Sequence, residues 1–159
     1  PQQAHTISAL DYVECLKLFE GGTVYADPPY AFVHYSRFYH AIETLVLYDY
    51  PELQIKGGEV VKGRYRDDRH QSPFSIRSLV SSAFAKMFEG VGASGSNLVL
   101  SYSNAALLNL DTMIELAHDT LGPAYDIEVV ARDHRHMTMG RRADRNRDVE
   151  ETLLLATRR

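Results

Sequence analysis

Thr23-Val24-Tyr25-Ala26-Asp27-Pro28-Pro29-Tyr30 joins four residues that favour or tolerate a strand to an abrupt stop. Neither proline can donate to a ladder, so the strand ends at Asp27 in a rigid turn. Working outward, Ser8 to about Phe19 reads as a helix with Leu10, Val13 and Leu16 on one side. A Ser8 to Asp11 capping box opens it, and Gly21 and Gly22 close it. On the other side, Phe38, Ile42, Leu45 and Val46 recur at the offsets of one apolar helical face, which predicts a helix over Tyr35 to Tyr48, closed off by Pro51. A strand framed by two helices points to an α/β layered sheet.

The rest of the chain extends that pattern. Residues 49–71 lack periodicity and carry Gly57, Gly58 and Gly63 with Lys62, Arg64, Arg66 and Arg69 and a counter-pair at Asp67 and Asp68, so they read as one long loop, functional or disordered. Ser72 as cap and Pro73 at the first helical position start the best-defined helix, whose stripe is Ile76, Leu79, Val80, Ala83, Phe84, Met87 and Phe88. Gly90, Gly92 and Gly95 fit a GxGxxG spacing but follow a helix and precede a strand, the wrong order for a phosphate cradle, and read as a helix stop and loop. Leu98 to Leu100 fits a strand buried on both faces. A helix from Asp111 to Leu121 follows, with Leu110, Met113, Ile114, Ala117 and Leu121 facing inward. Strands at Asp126 to Ala131 and Thr152 to Ala156, joined without a helix, predict a closing hairpin with one antiparallel strand. Between them, a basic loop at 132–149 holds Arg132, Arg135, Arg141, Arg142, Arg145 and Arg147.

Composition bounds what such a chain can be. Its 159 residues suit one domain, and 45% hydrophobic with 24% charged residues is the balance of a globular protein. No apolar run is long enough to span a membrane and no signal peptide is visible, which predicts a cytoplasmic protein with no membrane partner. The single cysteine, Cys15, excludes an internal disulfide and reads as a buried filler. His70, His134 and His136 show no ligand spacing, so no metal is expected. A net charge of -4 argues against nucleic acid as a whole-chain average, but the basic residues concentrate in the two loops.

The turn after the first strand carries the chemistry. Asp27-Pro28-Pro29-Tyr30 would arise by chance in a chain this size with a probability on the order of one in a thousand. It also falls where ligands bind open α/β sheets, outside a strand's carboxyl end. Such a turn suits a neutral exocyclic amine as nucleophile. The Asp27 carboxylate and the Pro28 carbonyl can accept its two hydrogens and aim its lone pair, and the Tyr30 ring offers a stacking surface for a planar base. A base embedded in a duplex must first be flipped out, and stacking offsets part of that cost.

This tetrapeptide resembles the catalytic loop of the adenine-specific DNA methyltransferases, and more closely that of a family of bacterial adenine-specific methylases. The resemblance extends through Tyr35-Ser36-Arg37-Phe38-Tyr39, Glu43 to Tyr50, Arg64 to Ser75 and Leu100-Ser101-Tyr102-Ser103. It implies a Rossmann-like sheet and transfer of a methyl group from S-adenosylmethionine to the exocyclic nitrogen of adenine in double-stranded DNA. Catalytic roles fall on Asp27, Pro28, Pro29 and Tyr30, and cofactor contacts on Ser8, Ala9 and Asp27. Arg64, Arg66, Arg69, Arg135, Arg141 and Arg142 become candidate DNA contacts, and 49–71 a candidate target-recognition loop. The family's Phe-x-Gly-x-Gly cofactor motif has no counterpart here. The expectation is therefore that residues 1–159 form the carboxyl-terminal, catalytic-loop half of a domain whose first strands are absent, complemented by an upstream segment or subunit.

Two other readings stand beside this one. A remnant that binds DNA or a partner without catalysis would keep the loops and lack the cofactor. An enzyme acting on RNA or on protein glutamine would keep the turn and change the acceptor.

Overall fold

The computed structural model describes residues 4–29, 32, 34–63, 66–67, 70–104, 106–135 and 148–159. A four-stranded mixed sheet is built from β1 (Thr23–Ala26), β4 (Asn97–Ser103), β5 (Tyr125–Arg135) and β6 (Asp148–Arg158), in the order β1-β4-β6-β5. β1 runs parallel to β4 with Val24 opposite Leu98, while β6 is antiparallel to both β4 and β5. The expected α/β class and closing hairpin are present. The hairpin ladder is longer than the sequence suggested, eleven residues on each strand, and β6 inserts between β4 and β5.

Four helices accompany the sheet: α1 (Tyr12–Lys17), α2 (Ser36–Leu47), α3 (Val80–Ser94) and α4 (Leu110–Leu121). The core lies between α3, α4 and one sheet face. Phe84, Phe88 and Val91 of α3 and Met113 and Ala117 of α4 meet Leu98, Leu100 and Tyr102 of β4 and Leu154 and Ala156 of β6. Register explains the selection, since Leu98 pairs with Ala156 and Leu100 with Leu154, so the buried residues alternate along both strands. Burial of each large side chain contributes roughly 2 kcal/mol. The other face is less covered: Val99 and Ser101 are half-buried and Leu153 is 38% exposed, so β4 is not buried on both faces as expected.

Several local readings are corrected. α1 begins at Tyr12, not Ser8, because Asp11 caps it by accepting the Val13 N–H at 2.9 Å and Tyr12 is drawn inward to donate its hydroxyl to the Ala83 carbonyl. Pro73–Ser75 forms a 3-10 turn with no side-chain cap from Ser72, and α3 starts only at Val80. Gly90 and Gly92 lie inside α3 and only Gly95, at φ 64°, ends it. Gly90 is where α1 crosses α3, since a Cβ there would meet the Leu16 side chain. α2 ends at Tyr48, a non-glycine residue at φ 51°, before Pro51 is reached.

The largest correction concerns α2. Its expected core stripe faces solvent: Phe38, Ile42, Leu45 and Val46 are 58–77% exposed, whereas Ser36 is buried and His40, Glu43 and Thr44 are half-buried. The helix is amphipathic, but its polar side faces inward.

Residues 49–71 also contain structure that was not foreseen. β2 (Ile55–Lys56) and β3 (Glu59–Val60) form an antiparallel ribbon around Gly57 and Gly58, both at positive φ. Two glycines between β-favouring residues are the hairpin signal that would have revealed it.

Candidate functional site

The parallel β1 ends at Ala26, and Asp27, Pro28 and Pro29 follow without a break at its carboxyl end. They line an open cleft of about 490 Å³. Its opposite walls are Leu10, Asp11, Tyr12, Cys15 and Leu16 from the α1 segment and His70, Ser72, Pro73 and Phe74 from the 3-10 turn region, with Met87 of α3 at its base. Asp27 is exposed and the two prolines are half-buried.

An aromatic chain ties this cleft to the core. The Tyr12 and Phe74 rings lie 5.0 Å apart, Phe74 meets Phe84 edge-on at 4.8 Å, and Phe84 meets Tyr102 edge-on at 5.6 Å. Such pairs hold one another's orientation and make the cleft floor as rigid as the core beneath it. Burial pushes the Tyr12 hydroxyl above its ordinary pKa, with the Asp11 charge adding to the effect.

Across the turn stand Tyr35 and Tyr39, their rings parallel within 4° at 6.2 Å and each about half exposed. Partial burial, and then the negative charge of Asp27, raise the Tyr35 hydroxyl above its usual pKa. Its hydroxyl therefore lies within the field of the Asp27 carboxylate.

The structure brings together Asp27, Pro28 and Pro29. Tyr30, Arg64, Arg69, Arg141 and Arg142 lie outside the described residues. Arg135 closes β5 opposite Asp148. Ser8 and Ala9 are exposed, in the extended segment before α1, and the cleft wall begins at Leu10, just beyond them. Arg66 is corrected: it is 7% exposed and its guanidinium grips both oxygens of Asp49 at 2.8 and 2.7 Å, which commits it to closing the loop base instead of contacting phosphate. That bond holds the Asp49 carboxyl below its usual pKa. Cys15 is likewise corrected, because it is exposed and lines the cleft instead of filling the core.

Tyr12, His70, Phe74 and Met87 were not singled out for this site. No local motif marks them, since they meet only through the α1–α3 crossing. Tyr102 belongs to the core, 1% exposed with its hydroxyl donating to the Leu108 carbonyl at 2.7 Å. Among the described residues no three His, Cys, Asp or Glu side chains gather as a metal cluster, and no helix is long and apolar enough to cross a membrane.

The cleft can hold a flat, partly apolar ligand against Asp27, and the turn can present two acceptors to an amine. Comparison with known proteins finds the chain similar to bacterial methyltransferases. Modification methylase LlaI of Lactococcus lactis subsp. lactis is 35% identical over 97 residues, 61% of this chain and 14% of that protein. Type II methyltransferase M.FokI of Planomicrobium okeanokoites is 35% identical over 88 residues, 55% of this chain and 12% of that protein. The chain thus spans only a small part of the length of these relatives. No family model and no solved structure matches it.

Proposed function

We propose that the chain is the catalytic-loop part of an adenine-specific DNA methyltransferase, with double-stranded DNA as its partner. The observation that carries this reading is the Asp27-Pro28-Pro29 turn at the carboxyl end of a parallel strand, opening into a cleft. Similarity to two bacterial methyltransferases supports it. Asp27 and the Pro28 carbonyl accept the hydrogens of the adenine amine and orient its lone pair, and the prolines fix that geometry before substrate arrives. Tyr30 stacks on the flipped base.

The residues present fit S-adenosylmethionine. Apolar Leu10, Leu16, Phe74 and Met87 offer a bed for its adenine, and the exposed Asp27 carboxylate is the right charge for a nearby sulfonium. Leu10 and Asp11 take the place first expected of Ser8 and Ala9, which border the cleft instead. When bound, the cofactor supplies the methyl group.

We place the four strands as the later part of a Rossmann-like sheet. β1, pairing only with β4 among the described residues, has an edge on which a further parallel strand supplied by an upstream segment could add. The half-open second face fits a parallel sheet that normally carries helices on both sides. Arg64, Arg69, Arg135, Arg141 and Arg142 neutralise DNA phosphates flanking the target.

The test is a competition among duplex DNA, RNA and a glutamine-containing peptide for methyl label from S-adenosylmethionine, using the chain together with the segment that completes its sheet. Label entering DNA is the expected result. Preferential labelling of RNA or peptide would replace the acceptor, and no labelling together with unsaturable cofactor titration would favour a non-catalytic remnant.

A further inference from the structure

The stretch that follows the Asp27 turn has a composition of its own. Five of the ten residues from Tyr30 to Tyr39 are tyrosine or phenylalanine, against 10% aromatic residues over the whole chain. From Pro28 to Ile42 there is no Asp or Glu, and the only formal charge is that of Arg37. Aromatic rings are ordinarily buried, because each removes roughly 150–250 Å² from water. Here they are not: Phe32 is 68% and Phe38 71% exposed, and Tyr35 and Tyr39 are about half exposed. A contiguous exposed apolar patch marks a place where something binds.

Two of these rings are held in one orientation. Tyr35 caps α2 and Tyr39 stands one turn further on, their planes parallel within 4° and their centroids 6.2 Å apart. The backbone fixes that spacing, since the Tyr39 N–H donates to the Tyr35 carbonyl at 3.1 Å. Between the turn and the pair along the chain, Phe32 meets His34 edge-on at 6.1 Å. A tyrosine has only two χ angles to fix, so a ring already oriented by a neighbour takes a flat ligand at small entropic cost.

Position and charge narrow the ligand. Partial burial and then the charge of Asp27 raise the Tyr35 hydroxyl above its usual pKa, so the pair lies within reach of the carboxylate assigned to the target amine. A negative charge there repels a phosphate and leaves a neutral planar group favoured, which suits a base and not the nucleic-acid backbone. A protein segment laid over Tyr35 would crowd the turn that the target has to enter. In a closed duplex every base face is covered by its neighbours, so only an unpaired nucleotide can meet a ring. Tyr30 takes the target adenine in the reading above, which leaves the adjoining nucleotide for the pair.

Resting on the DNA reading above, we propose that the Tyr35–Tyr39 pair holds, unpaired, the base beside the target adenine, so that the duplex is opened by more than the one nucleotide that is methylated. The experiment takes the complete enzyme containing this chain and a duplex in which the nucleotides flanking the target adenine are mismatched. In two further duplexes the 5′ or the 3′ flanking base is removed to leave an abasic site, and dissociation constants are measured by fluorescence anisotropy. The unsubstituted enzyme is expected to bind one abasic duplex about 5- to 150-fold more weakly than the parent duplex. Tyr35→Ala and Tyr39→Ala are each expected to bind the parent duplex more weakly by a similar factor. They lose little further when that base is missing, because ring and base belong to one contact. Tyr39→Phe, which keeps the ring, behaves as the unsubstituted enzyme. Independent losses that multiply, or no loss at either abasic site, overturn the inference while leaving the methyltransferase reading intact. So does a lowered melting temperature of both alanine variants with DNA affinity unchanged, since the rings then pack against another protein segment. Failure of the unsubstituted enzyme to bind DNA or to methylate adenine would instead overturn the underlying reading, and the inference with it.

Discussion

At the scale of single residues, burial decides which polar groups are structural and which are left for chemistry. Tyr102 is enclosed by Phe84 and the sheet, and burial pushes its hydroxyl up to about 12. A phenol that titrates near 10 in the unfolded chain but near 12 in the folded one binds its proton more tightly when folded. The stabilisation is complete below pH 10 and is lost as the pH rises through the folded value. Alkaline unfolding followed by circular dichroism is therefore expected to show a steep fall in stability between pH 10 and 12, shallower in Tyr102→Phe. The variant should also be less stable at neutral pH by about 1 kcal/mol, because the Leu108 carbonyl loses its donor. Equal slopes in the two proteins would show that Tyr102 is not the group responsible. Asp27 is the contrasting case, exposed at the mouth of the cleft.

At the scale of elements, α2 is the informative case. Its stripe of Phe38, Ile42, Leu45 and Val46 has the period of a core-facing helix and yet lies outside. Substituting Leu45 and Val46 together by Ser is expected to change thermal stability by no more than about 0.5 kcal/mol, as at ordinary surface positions. Phe88→Ala in α3 should cost about 3–5 kcal/mol. A large loss from the α2 pair, read as a drop in melting temperature comparable to that of Phe88→Ala, would put its apolar side in the core.

The same element shows where sequence reading stops. Periodicity reveals that a helix has two faces, and composition does not say which one meets the sheet. β1, the proline stop, α4 and the closing hairpin were legible because their signals are local: chain-stopping residues, the apolar stripe of α4, and short runs of β-favouring residues. Arg66 was misread as a DNA contact because its partner Asp49 is 17 residues away, in a segment without periodicity. The start of α1 was misplaced because Ser8 and Asp11 are both good caps, and the choice between them is made by Tyr12 reaching Ala83 on another helix. In the site, the turn after β1 was visible in four letters, whereas Tyr12, Phe74 and Met87 became cleft walls only through packing at the Gly90 crossing.

At the scale of the whole molecule, the described sheet has one well-covered face, one half-open face and a parallel strand at its edge. The cleft opens at the carboxyl end of that edge strand, which places Asp27 at its mouth. This arrangement makes the account depend on one carboxylate. The most direct measurement incubates the complete enzyme containing this chain, and its Asp27→Ala variant, with duplex DNA and labelled S-adenosylmethionine, then resolves the digested nucleosides by mass spectrometry. The account predicts label on the exocyclic nitrogen of adenine and a loss of transfer of about 100-fold or more in the variant, with its circular dichroism spectrum and melting temperature unchanged. Undiminished transfer by Asp27→Ala, or label found only on another base, would contradict it.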